Sequence, residues 1–419
     1  MTRSPSPLRP FVGTVFVPAA IFGIGQGAGA PVIALVAHDM GASLAVSGLI
    51  VAAVGLGAVI GDLPAGRLVA VFGERRSIIG GSLLGAAGVL VALLSTTPWM
   101  LAVGAVMTGL ANAVWGLARQ SYLAEAVPLH ARARAMSAFA AMWRLGFFIG
   151  PLIGAGTIVV LGTRGGFVVQ FVAILVSGWL MARVPDIPRP DVEPGAKPTH
   201  VTLPAIVTRH RCLLSTLGSG SLLMGAARAS RDAVLPLWAV HIGLDATQVS
   251  LVFALSSAVD LLCSYPAGRL MDRFGRSFVA VPSLLVLGIA YAAIPLTDDL
   301  TSFAVAAVVL GVGNGFGNGV IMTLGADIAP PETRAEFLAA WRLTHDTGMF
   351  AGPLGIGLLT ATIPLGGAIF ALAGSSVVGA GLLARYIPRY VPWPPRRVDL
   401  PETTGDGTPT PAVDVATDA

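Results

Sequence analysis

Pro64-Ala65-Gly66-Arg67-Leu68 recurs letter for letter as Pro266-Ala267-Gly268-Arg269-Leu270, 202 positions later in a chain of 419. In the same frame Gly109 and Asn112 fall on Gly311 and Asn314, and Arg132 falls on Arg334. Gly146, Gly150, Pro151 and Leu152 fall on Gly348, Gly352, Pro353 and Leu354. One ungapped offset that aligns so many positions means that the chain is two copies of one unit.

Composition places both copies in a bilayer. Hydrophobic residues make up 54% of the chain and charged residues 11%, a balance foreign to water-soluble domains. Apolar stretches of about 20 residues, the length that crosses about 30 Å of hydrocarbon, run over 11–37, 45–70, 77–95, 99–124, 134–161 and 166–183. The second copy supplies 213–240, 247–271, 277–296, 300–326, 336–362 and 365–387. The expected fold class is therefore all-α and integral to a membrane, with twelve transmembrane helices in two pseudo-symmetric six-helix halves, 11–183 and 213–387. Residues 1–10 form the expected N-terminal segment, 184–212 a linker rich in Pro and charge, and 388–419 a disordered tail. The first stretch exceeds a signal-peptide core and eleven more follow it, which predicts a retained helix.

Basic residues collect in alternate loops: Arg75 and Arg76, Arg132 and Arg134, Arg183 to Arg211, Arg273 and Arg276, then Arg334. The opposite loops hold His38, Asp39, His241, Asp245, Asp298 and Asp299, with Arg164 as their one cation. The positive-inside rule puts the basic loops and both termini in the cytoplasm. A net charge of +4 then reflects topology and not a nucleic-acid footprint. Two cysteines, Cys212 and Cys263, offer neither a disulfide framework nor a thiolate metal site. Gly23-x-Gly25-x-x-Ala28 lies inside a span with no strand before it, where close helix packing explains it, and no phosphate loop, His-Glu-x-x-His or Gly-x-Ser-x-Gly pattern occurs. Neither an enzyme nor an ATP-driven engine is expected, and no metal or cofactor.

Two six-helix halves in one orientation, joined by a cytoplasmic linker, resemble the major facilitator superfamily of secondary transporters across residues 11–387. The family's loop signature Gly-x-Leu-x-Asp-Arg-x-Gly-Arg is matched by Gly268-Arg269-Leu270-Met271-Asp272-Arg273-Phe274-Gly275-Arg276. The first copy, Gly66 to Arg76, lacks the acid and the first Arg. The resemblance implies a cytoplasmic latch in which Gly268, Asp272, Arg273, Gly275 and Arg276 work with Asp327 and Arg334, with Glu125 and Arg132 in the equivalent place of the first half. Ordinary topology-setting charges explain the same residues.

A second signature, Gly146-x-x-x-Gly150-Pro151-x-x-Gly154 in the fifth span, matches the family pattern associated with antiporters that expel their substrates, of the drug:proton, multidrug-efflux type. Small residues four apart let a neighbouring helix approach, and Pro adds a bend, so the motif reads either as a hinge or as a packing strip. The Arg that such exporters carry four residues before Gly109 is Ala105 here. Arg119, further along that helix, reads as a side chain that snorkels to the headgroups.

Charges in mid-span cost about 2.5 to 3.5 kcal/mol each on insertion-derived scales and are expected to face a partner or water. They are Asp62, Arg144, Arg228, Arg231, Asp232, Asp260, Arg342 and Asp346. Asp62 and Asp260, and likewise Arg144 and Arg342, are separated by 198 and not 202, one helical turn out of frame. The resulting depths match Asp62 with Arg342 and Asp260 with Arg144. In the family fold the second helix packs on the eleventh and the fifth on the eighth, so these pairs are expected to bridge the halves as an inter-half gate. The alternative is charges that stay on their own helix or face a cavity.

Family geometry further puts Gln26, Asn112, Trp115, Arg228, Arg231, Asn314 and Asn318 around a substrate cavity, with Trp143 as another flat apolar face. Arg228 and Asp232, four apart, instead pair along one helix if the cluster neutralises itself. Proton coupling needs an acid free to titrate, for which Asp346 is the candidate, with His345 as relay and Asp232 as a second acid. A permanent Arg342–Asp346 pair is the alternative, and the gate would otherwise share Arg342 between Asp62 and Asp346 in different conformations. The expected function is secondary active transport by alternating access, as proton-coupled efflux of drug-like or metabolic small molecules. Proton-coupled uptake of a polar or anionic nutrient and a transporter-like sensor without flux remain as alternatives. The expected partners are a small-molecule substrate, protons and the lipid bilayer, and no nucleic acid. The expected state is a monomer in the plasma membrane of a bacterial cell.

Overall fold

A computed structural model describes residues 11–127, 129–183, 203–330 and 333–392. The segment 1–10, residues 184–202 of the expected linker, residues 393–419 of the expected tail, and the side chains of Glu125 and Arg132 lie outside what is described.

Among the described residues there is no strand. The first half contains α1 (Val17–Asp39), α2 (Leu44–Phe72), α3 (Glu74–Leu93), α4 (Pro98–Ala126), α5 (Leu129–Leu161) and α6 (Gly165–Ala182). A short α7 (Leu203–Arg209) follows. The second half contains α8 (Arg211–His241), α9 (Ala246–Phe274), α10 (Ser277–Ala293), α11 (Leu300–Phe316), α12 (Val320–Ile328), α13 (Arg334–Thr360) and α14 (Leu365–Tyr390). Among the described residues ten spans, with α11 and α12 together as one, are long and apolar enough to cross a membrane. The other two long helices are α8, of 31 residues, and α13, of 27. These two carry Arg228, Arg231 and Asp232, and Arg342 and Asp346.

Two boundaries differ from expectation. The end of the expected linker is helical, as α7 and the start of α8, and α14 runs three residues into the expected tail. The tenth span is not continuous. It stops at Phe316 and restarts at Val320, with Gly319 in the left-handed region at φ +80°.

Turn chemistry sets the ends. Ser43, Thr97 and Asp245 each accept a hydrogen bond from a backbone N–H in the first turn of the helix they precede, which satisfies a donor with no partner in the helix. Asp299 caps α11 by accepting from the Thr301 and Ser302 amides, which hold its carboxyl below the usual carboxylate range. At the other end Gly73 (φ +86°) and Gly275 (φ +90°), 202 apart, stop α2 and α9. That conformation costs an L side chain strain that glycine escapes.

The repeat reappears as packing. A Cβ on Gly109 would strike the Val54 carbonyl, and one on Gly311 the Ser256 carbonyl. Gly146 meets Ala20 as Gly348 meets Leu222, Gly150 meets Ile24 as Gly352 meets Ala226, and Gly23 meets Trp143 as Gly225 meets His345. Both members of every pair keep the offset of 202. Small residues thus bring α4 onto α2 and α5 onto α1, and repeat this for α11 on α9 and α13 on α8. Within lipid, where no hydrophobic force separates helix from solvent, such close van der Waals contact drives helix association.

Across the boundary α2 packs on α13 and α5 on α9. Gly48 abuts Gly357, and Gly55 abuts Phe350. Val32–Ala37 of α1 and Ala233–Ala239 of α8 are buried on every face, which seals the boundary at the end that carries the α1–α2 and α8–α9 turns. Toward the opposite end, marked by Gly73 and Gly275, the α2–α13 crossing leaves the Arg342 side chain 43% exposed.

Candidate functional site

A cavity of about 440 Å³ lies between the halves. From the first half it is lined by Gln26, Asn112, Trp143, Arg144 and Phe147, and from the second by Arg228, Arg231, Asp232, Asp260, Asn314, Asn318 and Asp346.

On the second-half wall Asp260 is the organising group. Its carboxylate accepts from Asn314 Nδ2 at 2.7 Å and Asn318 Nδ2 at 2.5 Å, and Arg231 Nη1 lies 3.5 Å away. Arg228 donates to the Asn314 carbonyl at 3.1 Å and to Asn318 Oδ1. Ser264 Oγ donates to the Asp260 carbonyl at 2.6 Å and accepts from Asn318 Nδ2 at 2.7 Å. Asn318 reaches all of them because it sits in the gap between α11 and α12, where its side chain is not bound to a helical register. Arg231 lies over the rings of Phe147 and Phe253, 5.4 and 4.8 Å from their centroids. Those rings, 5.9 Å apart, join the halves. Arg228 therefore turns to α11, and the alternative Arg228–Asp232 pair is not formed. Asp232 instead contacts Arg231 Nε at 3.5 Å.

The first-half wall is plainer. Asn112 Nδ2 donates to Gln26 Oε1 at 3.1 Å, and Trp143 stacks on Phe147 with centroids 5.2 Å apart. Trp115 is a correction: it is 1% exposed, stacked on Phe22 at 3.8 Å, with its indole N–H given to Ser82 Oγ at 3.1 Å. Its ring fills the packing between α1 and α3 and does not line the cavity. Arg119 does not snorkel either. Its guanidinium lies over Phe139 at 3.6 Å and Trp115 at 4.6 Å, with Nε and Nη1 buried and without an acceptor.

One of the two expected bridges is present. Arg342 Nη2 lies 3.7 Å from Asp62 Oδ1, and Arg342 Nε lies 3.1 Å from Asp346 Oδ2. Arg342 serves both acids at once, where alternation was the expectation. The Asp260–Arg144 bridge is not formed, because Asn314, Asn318 and Arg231 occupy the Asp260 oxygens. Asp346 lines the cavity and His345 does not. Successive residues diverge by about 100° around a helix, so His345 points to α8, with Nδ1 3.3 Å from the Ser221 carbonyl oxygen. The expected relay contact is absent.

At the Gly275 turn Arg276 donates to both Asp327 oxygens at 2.8 and 3.4 Å, and Asp272 lies 3.8 Å from its Nη1. Gly268 has open space above it. Arg273 stacks on Phe274 at 5.1 Å, and Arg334 is exposed, with no ion pair among the described residues. Neither joins the latch. In the first copy Glu74 occupies the place of Arg276 and accepts from Ser121 Oγ at 3.1 Å, while Arg75 grips the Ala182 carbonyl at the end of α6 at 2.8 and 2.5 Å. The strip Gly146, Gly150, Pro151 and Gly154 lies against α1 within the first half, not at the boundary between halves.

Reading the sequence missed the break in the tenth span, the Phe147–Phe253 contact and Ser264. Gly317-Asn318-Gly319 was the available signal for the first, since such a cluster punctuates a helix.

Similarity to known proteins is extensive. The family model described as Major Facilitator Superfamily matches residues 15–227 and 217–415. An uncharacterized MFS-type transporter of Bacillus subtilis is 30% identical over 337 residues, 75% of this chain and 76% of that protein. The class C tetracycline resistance protein of Escherichia coli is 34% identical over 122 residues, 29% of this chain and 31% of that one. A solved nucleoside transporter superposes with a TM-score of 0.74 at 15% identity, over 88% of this chain and 98% of its own.

Proposed function

The chain belongs to the Major Facilitator Superfamily and is a multi-pass membrane transporter, not an enzyme; on that premise we propose that it exports drug-like or metabolic small molecules in exchange for protons. The observation that carries the reading is the cavity between the halves, closed at one end and walled by charged groups from both. The basic residues in alternate loops support a cytoplasmic location for the Gly73 and Gly275 turns. Substrate then enters from the cytoplasmic side, and rocking of the halves exposes it to the other. Outward direction is supported by the fifth-span motif and by the partial likeness to the tetracycline resistance protein.

Arg342 is the proposed coupling element. It contacts Asp62 on α2 and Asp346 on its own helix. A proton on Asp346 removes one of its two anions, so the charge of Asp346 sets how firmly Asp62 is held across the boundary. Arg228 and Arg231, the residues that favoured uptake of an anionic nutrient, are held by Asn314, Asn318 and Asp260. Inverted vesicles with an acidified lumen, offered a panel of drug-like compounds, test the proposal. Accumulation in the lumen, abolished by Asp346→Asn, is expected. Accumulation by intact cells, or no flux in either orientation, contradicts it.

A further inference from the structure

Two charges on the cavity wall sit at the edge of its network, Asp232 touching it through Arg231 alone and Arg144 facing Asp260 without a bridge. Arg144, on α5, lines the cavity yet has no ion pair within 4.0 Å and no hydrogen bond among the described residues. Asp232, on α8, has 37% of its side chain exposed, against 13% for Asp260 and 16% for Asp346. Its nearest cation among the described residues is Arg231 Nε at 3.5 Å, on a guanidinium already shared with Asp260 and stacked on two rings. Of the other charged residues that line the cavity, Arg228, Asp260 and Asp346 have closer commitments: Arg228 to Asn314 and Asn318, Asp260 to the two amides, and Asp346 to Arg342.

A charge at mid-membrane depth is expected to face a partner or water. The guanidinium fork suits a carboxylate or similar planar anion, and an exposed carboxylate suits an ammonium. The two sit on opposite halves, with the apolar surfaces of Trp143, Phe147, Val54 and Met349 in the same lining. A volume of about 440 Å³ falls in the range of small-molecule sites. A neutral amphiphile gives Arg144 no ion-pair partner and the exposed side of Asp232 no donor beyond Arg231, and a simple cation or anion serves one of the two. A dipolar molecule answers both.

We infer that the cavity selects zwitterionic substrates with an aromatic or apolar body, the anionic group held by Arg144 and the ammonium by Asp232. This rests on the cavity being the transport site, and it names the substrate class of that site.

Isothermal titration of the purified full-length protein in detergent tests it without requiring flux. The probes are 4′-(aminomethyl)biphenyl-4-carboxylic acid, its methyl ester and its N-acetyl derivative. The zwitterion is expected to bind at least ~10-fold tighter than either blocked form, a difference of about 1.4 kcal/mol. Arg144→Gln should erase the preference over the ester and keep the preference over the N-acetyl form. Asp232→Asn should do the converse, and Arg144→Lys should retain most of the discrimination. Blocked probes that bind the wild-type chain as tightly as the zwitterion overturn the inference, and that arm needs no variant to fold. So does a loss of both preferences together in each single variant. Zwitterion binding without flux in vesicles defeats the export reading and leaves this inference standing. Export of other compounds with no zwitterion preference defeats this inference alone.

Discussion

Positions related by 202 are wired differently in the two halves. In the first, Gln26 and Asn112 tie α1 to α4 through one neutral hydrogen bond. In the second, their counterparts Arg228 and Asn314 tie α8 to α11 within a charged cluster around Asp260. The helix packing beneath is the same, glycine for glycine. The difference arises at Gly116 and Asn318, which share a place in the repeat: α4 runs straight through, whereas α11 stops and frees Asn318. Asp260 is thereby held inside its own half. Asp62, which aligns with Ser264, has no such cluster and reaches across to Arg342. Arg144 and Asp346, equivalent in the repeat, face the same cavity with opposite sign. A duplicated scaffold has kept its packing and diverged in its charges, so one half carries an internal network while the other places on the cavity wall a cation, Arg144, that has no ion pair among the described residues.

Replacing Asp260 by alanine, the residue at its first-half counterpart Ala58, should break this comparison hardest. It leaves Arg231, 5% exposed, with the half-exposed Asp232 as its remaining carboxylate among the described residues, and frees both amides, at a cost of roughly 3 to 5 kcal/mol. The readout is the unfolding midpoint in detergent. Adding Arg228→Gln, which copies Gln26, should recover part of the loss; no recovery would mean that the cluster is not a charge network.

Gly146→Leu and Gly348→Leu probe what the halves share. Each drives a side chain into the backbone of α1 or α8, and overpacking of this kind costs about 1 to 3 kcal/mol. Equal destabilisation is expected, and a cost confined to one half would contradict the repeated packing.

The amides sharpen the contrast on a smaller scale. Asn314→Ala loses a hydrogen bond to a carboxylate, worth about 1.5 to 3 kcal/mol, whereas Asn112→Ala loses a neutral one worth about 0.5 to 1.5 kcal/mol. Equal effects on the midpoint would argue that the two tethers are energetically alike. The smallest change is expected from Asp327→Ala. A surface ion pair such as that with Arg276 contributes about 0 to 1 kcal/mol, so stability should barely move.

The scaffold was readable because bilayer physics writes it in composition: runs of about 20 apolar residues, a single offset of 202 and basic residues in alternate loops. Depth was readable too, since helical rise converts residue spacing into distance, and Asp62 does meet Arg342. Direction around a helix was not. Trp115 and His345 each sit beside a cavity residue in sequence or on the same helix, yet both turn into packing. Asp260 was assigned to Arg144 on depth and on the expected packing of the fifth helix against the eighth, whereas the break at Gly317–Gly319 brought nearer donors to it. Facing and local unwinding depend on neighbours in space, and a single sequence does not state those.

The central claim is that two rigid halves rock about the shared cavity. Spin labels at Phe72 and Phe274, exposed and 202 apart at the Gly73 and Gly275 turns, measure one end of the boundary. Labels at Met40 and Ile242, also 202 apart, measure the other, and a pair at Phe72 and Arg183 reports inside the first half. Pulsed electron resonance in lipid nanodiscs, with Cys212 and Cys263 replaced by serine, should show the Phe72–Phe274 distance shorten and the Met40–Ile242 distance lengthen between the two populations, while Phe72–Arg183 stays fixed. A single unchanging distance at both ends in an actively transporting protein, or a change within the first half alone, would contradict the account.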